Sequence, residues 1–97
     1  MPYTYIVRCA DGSFYTGWTV DLEARLQAHN DGRGARYTRS RRPVRLVYWE
    51  FQPNRSEAQR RESAVRHLRR DQKEALAGAF EKTQRMPGES IKKEQNI

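Results

Sequence analysis

The strongest fold signal in the chain lies in residues 3–19, which read YTYIVRCADGSFYTGWT. Two runs rich in β-branched and aromatic side chains flank a turn signal, Asp-Gly-Ser, at positions 11–13. Because aspartate and glycine in a short connection favour a tight reversal of the chain, this pattern predicts a β-hairpin. Alternation along the first run places Tyr5, Val7 and Cys9 on one face of the first strand.

Two further elements follow the hairpin with clear signals. Asp21 is a suitable N-cap for a helix that carries Leu22 and Leu26 on one side and ends at residues 30–32. Residues 44–51 are rich in β-forming side chains and come directly after a proline, so they predict a third strand. The first half of the chain thus predicts three strands and one helix.

The second half of the chain predicts helices. Ser56 with Gln59 three residues later forms a capping box, from which a helix is expected to run to about Arg70. Asp71 with Glu74 repeats this pattern, which predicts a break and then a short last helix.

Together these elements predict a single α+β domain over residues 1–80, a three-stranded antiparallel β-sheet flanked by helices. A chain of 97 residues is long enough for one modest core and too short for two. Residues 81–97 are polar, contain a Pro-Gly pair and have almost no apolar anchor. They are therefore expected to form a disordered C-terminal tail.

The composition indicates a soluble, cytoplasmic protein. Cys9 is the single cysteine, so an internal disulfide is excluded, which fits a reducing compartment. No stretch approaches the ~20 consecutive apolar residues that a membrane-spanning helix requires. The chain also does not open with a basic and then apolar leader. We therefore expect no membrane partner.

Arginines crowd the segment between Asp31 and Glu50, which contains no acidic residue, and the whole chain carries a net charge of +7. The planar guanidinium of arginine suits bidentate contact with phosphate, so we expect a polyanionic partner whose binding depends on salt. The alternative is an ordinary solvated basic loop, but the interleaved glycine and aromatic residues favour nucleic acid. The candidate contacts are Arg33, Arg36, Arg39, Arg41 and Arg42.

Five residues occur in an order and at a spacing that resemble the catalytic pattern of the GIY-YIG nuclease superfamily. The resemblance is greatest to its small stand-alone bacterial members of the YhbQ type. The five residues are Tyr5, Tyr15, Arg25, His29 and Glu62. Tyr5 and Tyr15 match the paired tyrosines of the family. Arg25 and His29 are four residues apart and so share one face of the first helix, while Glu62 lies on a later helix. The resemblance extends over residues 3–76.

The resemblance implies a metal-dependent endonuclease that cuts DNA, or less readily RNA, in repair or recombination. Tyr15 would help to activate the attacking water, and Arg25 would stabilise the charge that grows on the phosphoryl oxygens. His29 would orient water or protonate the leaving oxygen, either of which its ordinary pKa of about 6.5 allows. Glu62 would bind Mg²⁺ or Mn²⁺, for which one carboxylate suffices because the ion keeps several waters. Tyr5 completes this predicted catalytic set.

Each of these residues also has an ordinary structural explanation. Tyrosines in strands usually pack against neighbours, and Glu62 has arginines within one helical turn with which to pair. Glu57 is a second candidate metal ligand, although its place in the first turn suits the helix dipole. Trp18 lies at a position where some members of the superfamily that this chain resembles carry a lysine. Its indole would instead pack against neighbours or stack on a base. Glu74 falls near the position of an asparagine that many superfamily members carry.

A second functional class is compatible with the same residues, namely a nucleic-acid-binding module that keeps the fold but has little or no turnover. Magnesium discriminates between the two, since cleavage that needs the metal and Glu62 supports the enzyme and metal-independent retention supports the binding module. No zinc-ligand spacing, phosphate-binding glycine loop or Ser/His/Asp arrangement in the sequence competes with these readings.

Overall fold

The structure, a computed structural model, describes residues 2–83. Its elements are β1 (Tyr3–Arg8), β2 (Phe14–Thr19), α1 (Leu22–Asn30), α2 (Arg36–Arg39), β3 (Arg45–Phe51), α3 (Arg55–Arg66) and α4 (Arg70–Thr83). The three strands form one antiparallel sheet in the order β2-β1-β3. The predicted α+β fold with a three-stranded antiparallel sheet is thus confirmed.

The central strand β1 is buried on both faces, and this arrangement divides the core in two. On one face the sheet packs against α1, and on the other against α3 and α4. The buried members of the first cluster are Tyr5, Val7, Cys9, Leu22 and Val44. Those of the second cluster are Ile6, Val47, Val65 and Ala77. A chain of this size can therefore stay folded, because full burial of each large apolar side chain contributes about 1.5–3 kcal/mol.

Local signals explain the hairpin and the first helix. The Asp11 carboxylate accepts a hydrogen bond from the Ser13 backbone N–H at 3.0 Å, and Gly12 takes φ +87°, which few other residues adopt readily. Asp21 caps α1 as predicted, since its carboxylate accepts a hydrogen bond from the Ala24 N–H at 3.1 Å. The hairpin therefore leads directly into a helix that lies across the face carrying Tyr5.

The predicted start of α3 at Ser56 and its predicted end near Arg70 were wrong. Asn54 is the N-cap, because its side-chain oxygen accepts a hydrogen bond from the Glu57 N–H at 2.9 Å. An asparagine and a serine two positions apart compete for the cap, and here the asparagine begins the helix first. The helix ends at Arg66, and α4 begins at Arg70.

Two other differences concern α2 and the end of the chain. The arginine-rich segment, predicted as a loop, contains the four-residue helix α2. Helix α4 continues past the predicted domain boundary at residue 80 and reaches Thr83. Residues 84–97 lie outside the described residues, so the disordered tail stays a prediction. No helix within residues 2–83 combines the length and apolar character needed to cross a bilayer.

Candidate active site

The predicted catalytic residues of the hairpin and the first helix meet on one face of the sheet. In the register of β1 and β2, Tyr5 lies opposite Gly17 and Val7 lies opposite Tyr15. Partners in an antiparallel pair point to the same side, so the two tyrosines share the face that α1 covers. Helix α1 brings Arg25 to this face, where the Arg25 Nε donates to the Tyr5 hydroxyl oxygen at 3.4 Å.

A chain of side-chain hydrogen bonds continues inward from Arg25. The Tyr5 hydroxyl lies 2.8 Å from Nε2 of His29, and Nδ1 of the same ring lies 2.7 Å from Oγ1 of Thr38. The Thr38 hydroxyl donates to the Ala35 carbonyl oxygen at 3.0 Å. Tyr5 is 2% exposed, and His29 and Thr38 are 0% exposed. We call Arg25, Tyr5, His29 and Thr38 the relay.

Burial keeps the two titratable rings of the relay neutral. It raises the pKa of Tyr5 to about 12, against the opposing effect of the Arg25 guanidinium. Burial, and then the positive charge of Arg25, lower the pKa of His29 to about 4. His29 was expected to act near its ordinary pKa and to touch water or the leaving oxygen. Instead its ring is fully buried, and both ring nitrogens are engaged by protein groups.

The depressed pKa of His29 predicts acid lability. Between pH 6.5 and about 4 the unfolded chain binds a proton at His29 that the folded protein does not, so stability falls as pH falls through this window. The two pKa values differ enough for this group alone to remove about 3 kcal/mol of unfolding free energy. Denaturant unfolding from pH 4 to 7 measures the slope. His29→Gln should flatten it, and an unchanged slope in that variant would assign the acid lability to carboxylates.

Tyr15 lies closer to the surface than Tyr5. It is half-buried, its ring meets the His29 ring edge-on at 5.4 Å between centroids, and it stacks on the exposed ring of Tyr37 at 6.1 Å. Burial would lower the pKa of Arg25, but its interactions with Tyr5 and Tyr15 outweigh burial and raise it. The guanidinium is therefore held, fully charged, between two tyrosine side chains.

Two glycines, which lack a side chain, make room for the rings of the relay. A Cβ at Gly17 would lie 2.7 Å from the Tyr5 hydroxyl oxygen, and a Cβ at Gly34 would lie 2.3 Å from Nδ1 of His29. Both distances are too short for non-bonded atoms. At Gly17 the close neighbour is the phenol of Tyr5. Gly34 and Thr38 were not identified from the sequence as residues of the site. Their signals in the sequence are weak, since Gly34 is a second glycine and Thr38 an uncharged side chain within a basic segment.

Glu62 lies on α3, which packs against β1 and β2 and is tied to β1 by a hydrogen bond from the Thr4 hydroxyl to the Ala58 carbonyl oxygen at 3.1 Å. The Glu62 side chain is 18% exposed and pairs with Arg66, 58% exposed, at 3.2 Å. Its negative charge contributes to the raised pKa of Tyr5, so the carboxylate is electrostatically coupled to the relay.

Glu62 is the candidate ligand for a hydrated divalent cation. No group of three or more histidine, cysteine, aspartate or glutamate side chains converges within residues 2–83. Mg²⁺ needs only one or two protein carboxylates and keeps its remaining waters, so a lone half-buried carboxylate suits it. The competing partner, Arg66, is an exposed side chain that can turn to solvent at small cost, because exposed ion pairs contribute only about 0–1 kcal/mol.

Three residues that the sequence left open have other partners. Glu57 lies in the first turn of α3 and reaches Arg60 at 3.8 Å. Glu74 is held by Arg8 at 2.7 Å and by Arg70 at 3.3 Å. Trp18 is half-buried, with the guanidinium of Arg55 5.6 Å from its ring centroid. Glu62 is also ion-paired, but of these three carboxylates it is the one whose charge contributes to the raised pKa of Tyr5.

The arginines of the arginine-rich segment differ in their partners, since Arg41 and Arg42 donate to carbonyl oxygens of the segment itself, although Arg42 is exposed; we call these two the bracing arginines. Arg41 donates to Asp11 at 3.1 Å and to the Tyr37 carbonyl oxygen at 2.8 Å, and its guanidinium lies 4.0 Å from the Tyr37 ring centroid. Arg42 donates to the Arg39 carbonyl oxygen at 2.9 Å. These two guanidinium groups are engaged in holding the segment itself.

The other three predicted contacts point outward. Arg36 and Arg39 are exposed at the two ends of α2, and Arg33 is 65% exposed beside Asp31, with which it pairs at 2.8 Å. We call these three exposed arginines, Arg33, Arg36 and Arg39, the basic rim; Arg36 and Arg39 lie on α2 with Tyr37.

Comparison with known proteins identifies the family of this chain. The GIY-YIG catalytic domain family matches residues 1–75. A UPF0213 protein of Clostridium perfringens is 58% identical over 73 residues, which cover 75% of this chain and 78% of that protein. A UPF0213 protein of Halobacterium salinarum is 49% identical over 76 residues, covering 78% of this chain and 99% of that protein.

Two solved structures are also similar. The solution NMR structure of a UPF0213 protein from Bacillus halodurans has a TM-score of 0.51 at 48% identity, over 81% of this chain and 85% of that one. The solution NMR structure of a protein from E. faecalis has a TM-score of 0.54 at 43% identity, over 90% and 93% of the two chains. With its family match spanning most of its length and its tyrosine pair meeting Arg25 at one site, the chain belongs to the GIY-YIG family.

Proposed function

We propose that this protein is a metal-dependent endonuclease that hydrolyses phosphodiester bonds of DNA, with RNA as the alternative substrate. The observation that carries the proposal is a charged Arg25 held between two tyrosines, one of which, Tyr5, is electrostatically coupled to the Glu62 carboxylate, in a chain of the GIY-YIG catalytic domain family. Members of this family are generally endonucleases, and they usually use divalent metal ions. Action in the cytoplasm, in repair or recombination, forms part of the same proposal.

Arg25 and Tyr15 are the groups placed to meet the substrate. Arg25 is partly exposed and fully charged, so its guanidinium can bind a non-bridging phosphate oxygen and stabilise the additional charge of the transition state. Tyr15 is half-buried, whereas Tyr5 is 2% exposed, so Tyr15 is the hydroxyl that can contact the attacking water. We assign Tyr15 to orienting that water and to taking part in transfer of its proton.

Tyr5 and His29 act behind Arg25. The Tyr5 oxygen accepts from Arg25, and the Tyr5 proton is shared with a neutral His29. The pair thus fixes the direction of the guanidinium. Glu62 would hold a Mg²⁺ or Mn²⁺ ion, which when bound supplies a water of lowered pKa and neutralises phosphate charge.

A binding module without turnover is the second candidate. The pairing of Glu62 with Arg66 favours it, because an ion-paired carboxylate is a weaker ligand until the arginine turns away. In that case the basic rim would retain nucleic acid with or without magnesium.

Cleavage assays over a panel of substrates decide between the two functions. End-labelled single-stranded, duplex, flap and junction DNA, and matching RNA, are incubated with the purified chain in Mg²⁺, in Mn²⁺ and in a chelator. Metal-dependent cutting of any member supports the nuclease. Retention in gel shifts without cutting of any member in either metal supports the binding module.

The basic rim should contribute a measurable part of the salt dependence of binding. Replacing Arg33, Arg36 and Arg39 together with glutamine should weaken binding to all duplex sequences. It should also flatten the slope of log affinity against log salt by roughly two to three units, at ~0.9 per lost phosphate contact. Fluorescence anisotropy at several salt concentrations measures the slope. Parallel plots for the parent and the triple variant would place the binding surface elsewhere.

The bracing arginines offer a matched comparison within the same segment. Arg41 and Arg42 donate to protein oxygens, so replacing them with glutamine should lower the melting temperature and change the salt slope little.

A further inference from the structure

Oγ1 of Thr38 lies between two groups that compete for its single proton. The Ala35 carbonyl oxygen, at 3.0 Å, can only accept a hydrogen bond. Nδ1 of His29, at 2.7 Å, can accept or donate, depending on the tautomer of the ring. When the hydroxyl donates to the carbonyl oxygen, Nδ1 of His29 donates to Oγ1 and therefore carries a proton.

This direction determines the rest of the relay. A neutral imidazole has one protonated nitrogen, so with the proton on Nδ1 the other nitrogen, Nε2, is an acceptor. The Tyr5 hydroxyl, 2.8 Å away, donates to it, and the Tyr5 oxygen accepts from Arg25. Every donor in the relay then has an acceptor, and all the protons point inward from Arg25 to Ala35.

The opposite tautomer breaks this order. With the proton on Nε2, His29 would donate to the Tyr5 oxygen, which already accepts from Arg25. The Tyr5 proton would then have no acceptor among residues 2–83, in a side chain that is 2% exposed. Buried donors without an acceptor are strongly avoided in folded proteins.

We propose that Thr38 is a positioning residue of the active site, whose hydroxyl holds His29 in the Nδ1-protonated tautomer and so keeps Nε2 open to the Tyr5 proton. The catalytic consequence rests on the proposed nuclease function, whereas the tautomer is a property of the free protein. Without the Thr38 hydroxyl, His29 loses the group that selects Nδ1, and the hydrogen bond that orients Tyr5 beneath Arg25 loses its acceptor.

The surroundings of the ring support this assignment. Gly34 leaves no room for a substitute donor or acceptor at Nδ1, because even a methyl group there would lie 2.3 Å from that nitrogen. Helix α2, which carries Thr38, also carries Tyr37, whose ring stacks on Tyr15. The same short helix therefore contacts the buried His29 through Thr38 and the half-buried Tyr15 through Tyr37. It also carries Arg36 and Arg39 of the basic rim.

Nitrogen chemical shifts of histidine test the tautomer directly. The chain has two histidines, so a ¹⁵N-histidine spectrum contains two ring systems, and His67→Gln assigns them. At pH 7 we expect the parent to show a protonated Nδ1 and an unprotonated Nε2 at His29. Thr38→Ser should keep this pattern, while Thr38→Val, which has the same shape without the hydroxyl, should shift the proton wholly or partly to Nε2.

Single-turnover kinetics provide the functional half of the test. On the best substrate of the panel, Thr38→Val should lower the rate constant at least 10-fold with affinity unchanged within about twofold, and Thr38→Ser should restore it to within about threefold of the parent. An Nε2-protonated His29 in the parent, or an unchanged tautomer in a folded Thr38→Val, would overturn the proposal. If Thr38→Val does not fold, the parent spectrum and Thr38→Ser decide. If the parent shows the expected tautomer but cuts no substrate, the proposed nuclease function is wrong, whereas the hydrogen-bond assignment of the relay still holds.

Discussion

Replacing Glu62 with glutamine is expected to abolish cleavage while the fold and the retention of nucleic acid remain. A neutral amide is a much weaker ligand for a hard cation than a carboxylate of the same shape, so the metal would be lost. The ion pair of Glu62 that the described residues show is with Arg66, whose side chain is 58% exposed, so stability should change by about 1 kcal/mol. Single-turnover rates across a Mg²⁺ titration, with melting curves and gel shifts on the same samples, measure the three effects.

Glu57→Gln is the matched control for this experiment. It removes the same charge from the same helix, at a residue that pairs with Arg60 in the first turn. The cost should be limited to the helix-dipole contribution of about 0.3–1 kcal/mol, with the rate near that of the parent. A Glu62→Gln protein that cuts at the parent rate would show that the metal is held elsewhere. Loss of activity in Glu57→Gln alone would identify Glu57 as the ligand.

Arg25→Ala is expected to lower the rate constant of cleavage by ~10²-fold or more, the range for loss of one preorganised donor at a developing oxyanion. Affinity should change little, because the basic rim holds the phosphate backbone at other points. Arg25→Lys should recover only part of the rate, since an ammonium keeps the charge but lacks the planar fork that contacts Tyr5 and the phosphate together.

Arg33→Ala separates this catalytic effect from general charge loss. Arg33 is 65% exposed and belongs to the basic rim, so its removal should weaken binding and leave the rate constant unchanged. If Arg25→Ala behaves in the same way, with affinity lowered and the rate constant intact, Arg25 is an ordinary phosphate contact. Melting curves are needed for Arg25→Ala, because the Tyr5 hydroxyl loses its donor.

The sequence predicted those parts of the fold that local chemistry determines. The Asp-Gly-Ser turn, the Asp21 cap and the β-forming run of β3 each act within a few residues, and each was confirmed. The start of α3 was wrong because two capping residues stood close together. Helix α2 was missed because four residues do not form a helix by propensity. Its stability comes from distant contacts, namely Thr38 with His29 and Tyr37 with Tyr15.

The sequence indicates which residues lie near one another more readily than how their side chains are oriented. Spacing of four on a helix places Arg25 and His29 on one face, but it does not indicate that His29 turns fully into the protein. The same limit applies to the arginines, since a sequence cannot distinguish a guanidinium that faces solvent from Arg41 or Arg42, which hold the segment together. Thr38 was missed because its partner lies nine residues away across a turn.

The position of Phe80 determines where the independent folding unit stops. The family match ends at residue 75, yet Ala77 and Phe80 are buried on the sheet, and the Phe80 ring meets those of Tyr48 and Trp49 at 5.7 and 5.9 Å. A shortened version cut at the family boundary would lack the Phe80 ring that covers Tyr48 and Trp49, would expose apolar surface on β3 and would tend to aggregate. The smallest piece that folds alone should therefore extend at least one helical turn beyond the part that the family shares.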